Sequence, residues 1–217
     1  MPVDPMSDAK FITFEGGEGG GKSTQIKLLA QSIENAGLSA VLTREPGGTP
    51  EAEEIRNLLV SGAVERWQPM SEVFLNYAAR VEHVTRMIKP ALAHGTWVLS
   101  DRFADSTMAY QGYGHDLNRD DLKRLYRLAL GDFRPDLTLI LDLPVETGLS
   151  RAGARGDHED RYERMGSDFH QRLRDGFLEI AKAEPVRCRV IDATGSIDKV
   201  HDQILEHVND HFRLTLT

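Results

Sequence analysis

The chain has 217 residues, of which 40% are hydrophobic and 28% charged, so it is long enough to bury one substantial core. It contains no apolar run as long as a membrane span, and its formal charge of −8 argues against generic nucleic-acid binding, which needs a basic surface. The lone cysteine, Cys188, excludes an intrachain disulfide and fits a reducing compartment, which predicts a cytoplasmic location.

The first ten residues, MPVDPMSDAK, have neither a basic start nor an apolar stretch and so do not resemble a signal peptide. We expect residues 1–10 to form a flexible leader and residues 11–217 to form a single domain. After the leader, short β-rich runs alternate with helical patterns, which is typical of an α/β fold with a parallel sheet. The predicted strands cover residues 11–15, 40–43, 97–100, 137–143 and 189–191.

Capping residues mark the starts of the predicted helices. Thr49 can cap a helix that Pro50 opens, and Ser71 can cap a longer one. Along this longer helix the apolar spacing predicts a core-facing stripe of Phe74, Tyr77, Val81, Val84 and Ile88. Other predicted helices cover residues 119–130, 145–154, 168–183 and 197–212. The charged, glycine-bounded segment 156–166 has no apolar periodicity, which predicts a mobile loop.

The strongest motif is the run Gly16-Gly17-Glu18-Gly19-Gly20-Gly21-Lys22-Ser23, which fits G-x-x-x-x-G-K-[ST]. It lies between a predicted strand and a predicted helix, the context that a phosphate-binding P-loop requires. The glycines let backbone N–H groups surround an anion, and Lys22 can reach the β- and γ-phosphates of ATP. The hydroxyl of Ser23 can ligate the accompanying Mg²⁺, and Thr24 completes the predicted loop.

A P-loop alone does not distinguish a kinase from a GTPase switch or a motor ATPase. A GTPase needs a guanine-reading segment of the N-K-x-D type, and the sequence has none. Three further runs are more specific: TREPGGT at 43–49, DRFADST at 101–107 followed by AYQG at 109–112, and GDFRPDL at 131–137. Through these runs the chain resembles thymidylate kinase from about residue 11 to residue 195.

The resemblance implies a P-loop nucleoside monophosphate kinase fold: a five-stranded parallel sheet of order 2-3-1-4-5, flanked by helices, with a small lid at about 151–166. It implies transfer of the γ-phosphate of ATP to dTMP with Mg²⁺ as cofactor, and it implies a homodimer. In this family the residue at Asp101 holds Mg²⁺ through water. Arg102 would bind the dTMP phosphate, which suits a guanidinium group, and Glu18 would face the sugar 3′-hydroxyl and the metal. A structural ion pair is the alternative role for Asp101 and Arg102.

The resemblance also assigns the base-reading residues. Arg80 would hydrogen-bond the thymine edge, Thr107 and Gln111 would read the same base, and Tyr110 would crowd the 2′ position and so select deoxyribose. The predicted dTMP-binding set is Arg44, Asn76, Arg80, Arg102, Ser106, Thr107, Tyr110 and Gln111. For Arg44 and the adjacent Glu45, a loop ion pair is an equally good interpretation.

Two positions depart from the family pattern. Many members carry a phenylalanine that stacks on thymine four residues before the base-reading arginine, where this chain has Asn76. Phe74 or Tyr77 could supply an aromatic face, but their spacing favours core packing. Some members place an arginine inside the P-loop, where this chain has Gly19.

Other family members supply arginines from the lid, and this chain carries Arg151, Arg155 and Arg161 there. We predict that Arg155 is the main transition-state arginine and that Arg151 and Arg161 support it at ATP. The alternative is a solvated basic helix face. The predicted catalytic set is Lys22, Arg155, Arg102 and Glu18.

Three alternatives to a dTMP kinase stay open. A kinase for another nucleoside monophosphate would keep the P-loop but lose the pattern at 101–111. A deoxynucleoside kinase would need a base to deprotonate a neutral hydroxyl. A non-enzymatic nucleotide switch would need neither Arg155 nor Arg80.

Overall fold

The computed structural model describes residues 9–153 and 161–217. Five strands form one parallel sheet in the order β2-β3-β1-β4-β5, which confirms the predicted order. Each predicted strand is present to within one or two residues. The strands are β1 Phe11–Glu15, β2 Ala40–Arg44, β3 Trp97–Asp101, β4 Leu137–Asp142 and β5 Cys188–Asp192.

Helices lie between the strands in chain order, as the sequence predicts. They are α1 Lys22–Asn35, α2 Pro50–Val60, α3 Pro69–His83, α4 Lys89–Ala93, α5 Ala104–Thr107, α6 Arg119–Leu130, α7 Val145–Gly153, α8 Ser167–Ala183 and α9 Ile197–Phe212. A 3₁₀ turn occupies Val64–Arg66, and π-helical turns at Val84–Ile88 and Met108–Gly114 follow α3 and α5. Among the residues described, no helix is long and apolar enough to cross a bilayer.

Two of the predicted helix starts can be compared with the structure. Thr49 caps α2, because its hydroxyl accepts a hydrogen bond from the backbone N of Ala52 at 3.3 Å. Ser71 is not a cap, because α3 already begins at Pro69, whose fixed φ suits the first position of a helix.

The core is built on both faces of the sheet. Alternate strand residues such as Ile12 and Leu139 pack against α1 and α9. Their neighbours point to the other face, where Phe11 and Val98 contact Phe103. Strands covered on both sides are apolar almost throughout, which explains why the sequence pattern located them well.

The predicted apolar stripe of the long helix is partly wrong. Tyr77, Val84 and Ile88 are buried, but Phe74 is 58% exposed and Val81 is 37% exposed. The buried face of α3 instead includes the charged side chains Glu72, Arg80 and His83. A pattern that counts only apolar residues assigns charged side chains to the solvent-exposed face. The predicted core-facing stripe was therefore placed partly outside the buried face.

The parallel topology brings three strand ends to one edge of the sheet. β1 leads into the loop 16–21, while β2 and β3 end at Arg44 and Asp101. Ligands of open α/β sheets bind at this edge. Just before β1, the carbonyl oxygen of Lys10 accepts a hydrogen bond from Val98 N at 2.9 Å; residues 1–8 of the predicted leader lie outside the described residues.

Candidate active site

The loop after β1 has a backbone that only glycine can adopt at its tightest points. Gly16 has φ +121°, and a Cβ there would stand 2.3 Å from the carbonyl oxygen of Leu141. Gly19 has φ +69°, and a Cβ there would stand 2.1 Å from the carbonyl oxygen of Gly148 in α7. The loop is therefore pressed against β4 and α7, and α1 begins directly after it.

Lys22 lies in the first turn of α1 with its side chain buried beneath the loop. Its Nζ donates to the carbonyl oxygen of Gly17 at 2.7 Å and to that of Gly16 at 3.3 Å. Burial and the neighbouring Arg102 lower the pKa of Lys22 to about 8, although Glu18 and Asp101 act in the opposite direction. An anion in the loop would favour the charged ammonium.

Arg102 follows β3 and has φ +72°, an unusual value for a residue with a side chain. Its Nη2 donates to Glu18 Oε1 at 2.8 Å and its Nη1 to the carbonyl oxygen of Gly16 at 3.0 Å. Tyr110 donates its hydroxyl to the same Glu18 oxygen, and its ring lies 5.1 Å from the guanidinium. Burial opposes the ionisation of Glu18, but Arg102 and Lys22 outweigh it, and the pKa falls to about 2.

Ser23 and Asp101 meet in front of the loop, where Ser23 Oγ donates to Asp101 Oδ2 at 3.0 Å. Among the described residues, no group of three or more His, Cys, Asp or Glu side chains could hold a metal ion. A hydroxyl with one carboxylate nevertheless fits Mg²⁺, which keeps several waters and takes its other ligands from phosphates. These two residues were both predicted as the metal site.

Two cavities open at this edge of the sheet. The first, the loop cavity, has a volume of about 290 Å³ and is lined by residues 18–24 together with Arg44, Asp101 and Arg102. The second, the helix cavity, has a volume of about 130 Å³ and lies between α3 and residues 102–111. Glu18 and Arg102 line both cavities, so these two side chains lie at their junction.

Arg80 enters the helix cavity from α3 and is almost fully buried. Its Nε donates to Glu45 Oε2 at 2.6 Å, and its Nη2 donates to the Phe103 carbonyl oxygen at 3.1 Å and to Thr107 Oγ1 at 3.0 Å. Its Nη1 has no hydrogen-bond partner among the described residues. One guanidinium donor is therefore left for a ligand.

Gln111 lines the same cavity and is 1% exposed. Its Nε2 donates to Glu72 Oε2 at 3.0 Å, while its Oε1 is buried without a partner within the described parts of the chain. A carboxylate only accepts hydrogen bonds, so the amide nitrogen must face Glu72. One buried acceptor is left on a residue that lines the same cavity as Arg80.

The adjacent residues Arg44 and Glu45 form ion pairs with different partners. Glu45 is buried and pairs with Arg80 and His83, while Arg44 pairs with Glu53 at 2.9 Å at the surface. Arg44 and Glu45 therefore both form ion pairs, which was the alternative interpretation of these residues, but they do not pair with each other. Arg44 also lines the loop cavity.

Glu15, at the end of β1, is a second buried acid that sequence reasoning missed. It accepts hydrogen bonds from Phe103 N at 2.8 Å and from Ser106 Oγ at 2.6 Å. Burial, together with the nearby Asp105, raises the pKa of Glu15 to about 8. Ser106 Oγ in turn accepts from Arg102 Nη1 at 3.3 Å, so Glu15 supports the segment that carries Arg102.

The structure also bears on the aromatic residues near Asn76. Asn76 lines the helix cavity and donates to the Glu72 carbonyl oxygen at 2.9 Å. Phe74 is exposed, so its predicted core packing is wrong, whereas the core packing of Tyr77 is confirmed. Phe103, in the run at 101–107, also lines the cavity, although we did not single it out from the sequence.

Two of the three predicted lid arginines, Arg151 and Arg161, lie within the described residues and contact different parts of the protein. Arg151 Nη1 donates to the Ala193 carbonyl oxygen at 3.1 Å, and Arg155 lies outside the described residues. Arg161 is 1% exposed, pairs with Glu72 and donates to three backbone carbonyls. Each of its three guanidinium nitrogens donates inside the protein, which gives Arg161 structural contacts, and its role at ATP stays a prediction.

Comparisons with known proteins agree with this arrangement. The family model described as thymidylate kinase matches residues 14–204. Thymidylate kinase of Caulobacter vibrioides is 56% identical over 90% of this chain and 93% of its own length, and that of a Bradyrhizobium strain is 51% identical over 93% and 90%. A crystal structure of thymidylate kinase from Ehrlichia chaffeensis superposes with a TM-score of 0.75 at 37% identity, covering 92% of this chain and 98% of that one. The chain belongs to the thymidylate kinase family.

Proposed function

We propose that this chain carries out its family's reaction at the two cavities, with ATP in the loop cavity and dTMP in the helix cavity. The chain transfers the γ-phosphate of ATP to dTMP and releases ADP and dTDP. The loop, Lys22 and the start of α1 hold the donor phosphates. Arg102, at the junction of the cavities, binds the phosphate of dTMP.

The observation that carries this proposal is the pair of buried polar atoms without partners in the helix cavity. Among the described residues, Arg80 Nη1 is a donor and Gln111 Oε1 an acceptor. Thymine presents the complement on one edge, an oxygen at C4 that accepts and an N3–H that donates. Cytosine presents an amino group at C4 and an acceptor at N3, so both contacts would be repulsive. Leaving buried polar atoms unpaired is costly, and such a site strongly rejects the wrong base.

The reaction itself needs positioned cations more than a general base. The second pKa of a phosphate monoester is about 6, so the attacking oxygen of dTMP is already ionised near neutral pH. Two phosphate charges about 4 Å apart repel by about 4 kcal/mol at an effective dielectric constant of about 20. Lys22 and Arg102 both line the loop cavity and are the cations we assign to this charge, and Arg102 can exchange Glu18 for the substrate phosphate.

Ser23 and Asp101 would hold Mg²⁺, which would neutralise part of the charge on the ATP phosphates. Glu18 and Tyr110, joined by a hydrogen bond, would face the deoxyribose. Tyr110 would leave no room for a 2′-hydroxyl. Arg155 remains our predicted transition-state arginine and Arg151 its supporting residue, the latter beside the loop that contains Ala193.

The family resemblance also leads us to propose a cytoplasmic homodimer. Phe74 and Val81 lie seven residues apart on one face of α3 and are exposed, as is Leu58 on the neighbouring α2. Exposed apolar residues in one area of a surface are typical of protein–protein contacts. The single buried cysteine, Cys188, is consistent with a reducing compartment.

A coupled ADP-release assay with dTMP, dUMP, dCMP and thymidine tests the substrate assignment. We expect dTMP to be preferred, and Arg80→Lys to lower kcat/KM for dTMP by about tenfold to a hundredfold, because lysine keeps the charge beside Glu45 but loses the fork of donors. Arg66→Lys, at an exposed arginine outside both cavities, is the control and leaves kcat/KM unchanged. Preference for dCMP or thymidine over dTMP would contradict the assignment.

A further inference from the structure

We propose that Glu72 is a positioning residue that fixes the amide of Gln111 and thereby makes the site select a base with a donor at N3. This inference rests on the proposed function, because it concerns how the dTMP site reads its base. Glu72 itself does not line the helix cavity and acts through Gln111.

The carboxylate of Glu72 lies at the centre of a buried set of hydrogen bonds. It is 1% exposed on α3. Its Oε2 accepts from Gln111 Nε2 at 3.0 Å and from the Tyr162 hydroxyl at 3.3 Å, and its Oε1 accepts from Arg161. In each of these hydrogen bonds Glu72 is the acceptor and its partner is the donor.

Arg161 connects Glu72 to the backbone at and just after the end of α2. Besides the ion pair, its guanidinium donates to the carbonyl oxygens of Ala63 at 2.9 Å, Leu59 at 3.1 Å and Val64 at 2.7 Å. These carbonyls belong to the end of α2 and the 3₁₀ turn that follows it. Glu72 thus cannot turn away from Gln111 without breaking a buried ion pair.

The amide of Gln111 consequently has one allowed orientation. A 180° flip would bring its oxygen against the Glu72 carboxylate, and two acceptors would face each other in a buried site. In the observed orientation the oxygen is the atom left over. A glutamine on its own can present either its oxygen or its nitrogen to a ligand, so the selectivity comes from the acid behind it.

The same logic applies to the other half of the base edge. Arg80 can only donate, whichever way it turns, and Glu45 fixes which of its nitrogens is left. Gln111, unlike Arg80, therefore needs a neighbour to set whether it presents a donor or an acceptor. Changing Glu72 should alter discrimination at N3 without altering the contact at C4.

The test compares dUMP with dCMP, because these two nucleotides differ only at the C4–N3 edge and share every other group. In Glu72→Gln the new amide can donate to Gln111 Oε1, so either orientation of Gln111 becomes possible. We expect the ratio of kcat/KM for dUMP to that for dCMP to fall by about tenfold or more. The KM for ATP should stay within about twofold of the wild-type value.

Arg161→Lys is the matched control, because it disturbs the same buried pair but leaves the carboxylate facing Gln111. We expect it to lower the thermal unfolding temperature at least as much as Glu72→Gln, and to keep the dUMP-to-dCMP ratio within about twofold. An unchanged ratio in Glu72→Gln, or an equal fall in both variants, would overturn the positioning role. Failure of the wild-type protein to phosphorylate dTMP would instead overturn the proposed function, so the two failures are distinguishable.

Discussion

The contact between the phosphate loop and α7 allows a sharp test of how the loop is held. Gly148 lies in the second turn of α7 with its backbone N–H bonded to Pro144. A Cβ at Gly148 would stand 2.5 Å from the carbonyl oxygen of Glu18. That atom belongs to the backbone of the loop, so an added methyl group cannot be accommodated by rotating a side chain. In Gly148→Ala, either the loop or the helix must move.

The magnitude follows from two opposing effects. Alanine favours a helix interior over glycine by about 1 kcal/mol, whereas overpacking a tight contact costs about 1–3 kcal/mol. We expect a net loss of up to about 2 kcal/mol in the free energy of unfolding, which lowers the midpoint of thermal unfolding by up to about 8 °C for a chain of this size. Because the loop that is displaced binds the phosphates, kcat/KM for ATP should fall by at least about tenfold.

Gly153→Ala supplies the control in the same helix. A Cβ at Gly153 meets no described atom within 4 Å, so alanine there brings its helix propensity without a clash. Thermal unfolding and steady-state kinetics with varied ATP should show this variant to be as stable as the wild type and equally active. If Gly148→Ala also retained wild-type stability and kcat/KM, the loop would not be held by this contact.

Two further predictions concern Glu15 and Phe74. Burial raises the pKa of Glu15 to about 8 in the folded protein, whereas the carboxyl group of the unfolded chain has a pKa of 4.5. Between these two pH values the folded protein keeps a proton that the unfolded chain releases. The free energy of unfolding therefore falls as the pH rises from 4.5 towards 8, by up to about 5 kcal/mol. Glu15→Gln removes this loss, so its unfolding midpoint relative to the wild type should be higher at pH 8.5 than at pH 5, and an equal difference at both values would contradict the reasoning. Phe74→Glu should convert a homodimer to a monomer in sedimentation velocity with its unfolding midpoint kept, whereas Leu128→Glu, at an exposed apolar residue of α6, should leave the dimer intact and so controls for the added charge. A wild-type monomer would refute the dimer.

The fold could be predicted almost completely from local signals. The central strands β1, β3 and β4 are buried almost throughout, and the glycine pattern at 16–21 is tied to a strand before it and a helix after it. The sheet order came from the family resemblance, since no local pattern specifies which strands are neighbours. The helix start at Thr49 was predicted correctly, because a capping side chain is followed directly by proline. The start at Ser71 was predicted wrongly, because the helix begins at the proline two residues earlier.

The candidate site could be predicted only where the motif itself holds the chemistry. Lys22, Ser23 and Arg102 belong to runs with a recognisable pattern, and the structure brings them together. Glu72 and Arg161 are 89 residues apart and carry no motif, and each reads as an exposed charge by composition. Their burial depends on a long-range pairing, which hydrophobic periodicity cannot register. The family resemblance placed Arg161 at ATP, and only the structure reveals that each of its three guanidinium nitrogens donates inside the protein.

The position of the acids explains how a chain with a formal charge of −8 can be suited to two polyanions. Glu45, Glu72 and Glu15 lie inside the protein, where each fixes a group on the acceptor side: Arg80, Gln111 and Ser106 respectively. Glu18 differs, because it lies at the junction of the cavities and its partner Arg102 is the cation we assign to the substrate phosphate. A phosphate that binds Arg102 replaces one anionic partner by another, so the guanidinium does not have to be stripped of water at that moment. The guanidinium of Arg102 is ordered and desolvated during folding, before the substrate binds. Electrostatic catalysis is most effective when the charged groups are ordered in advance in this way.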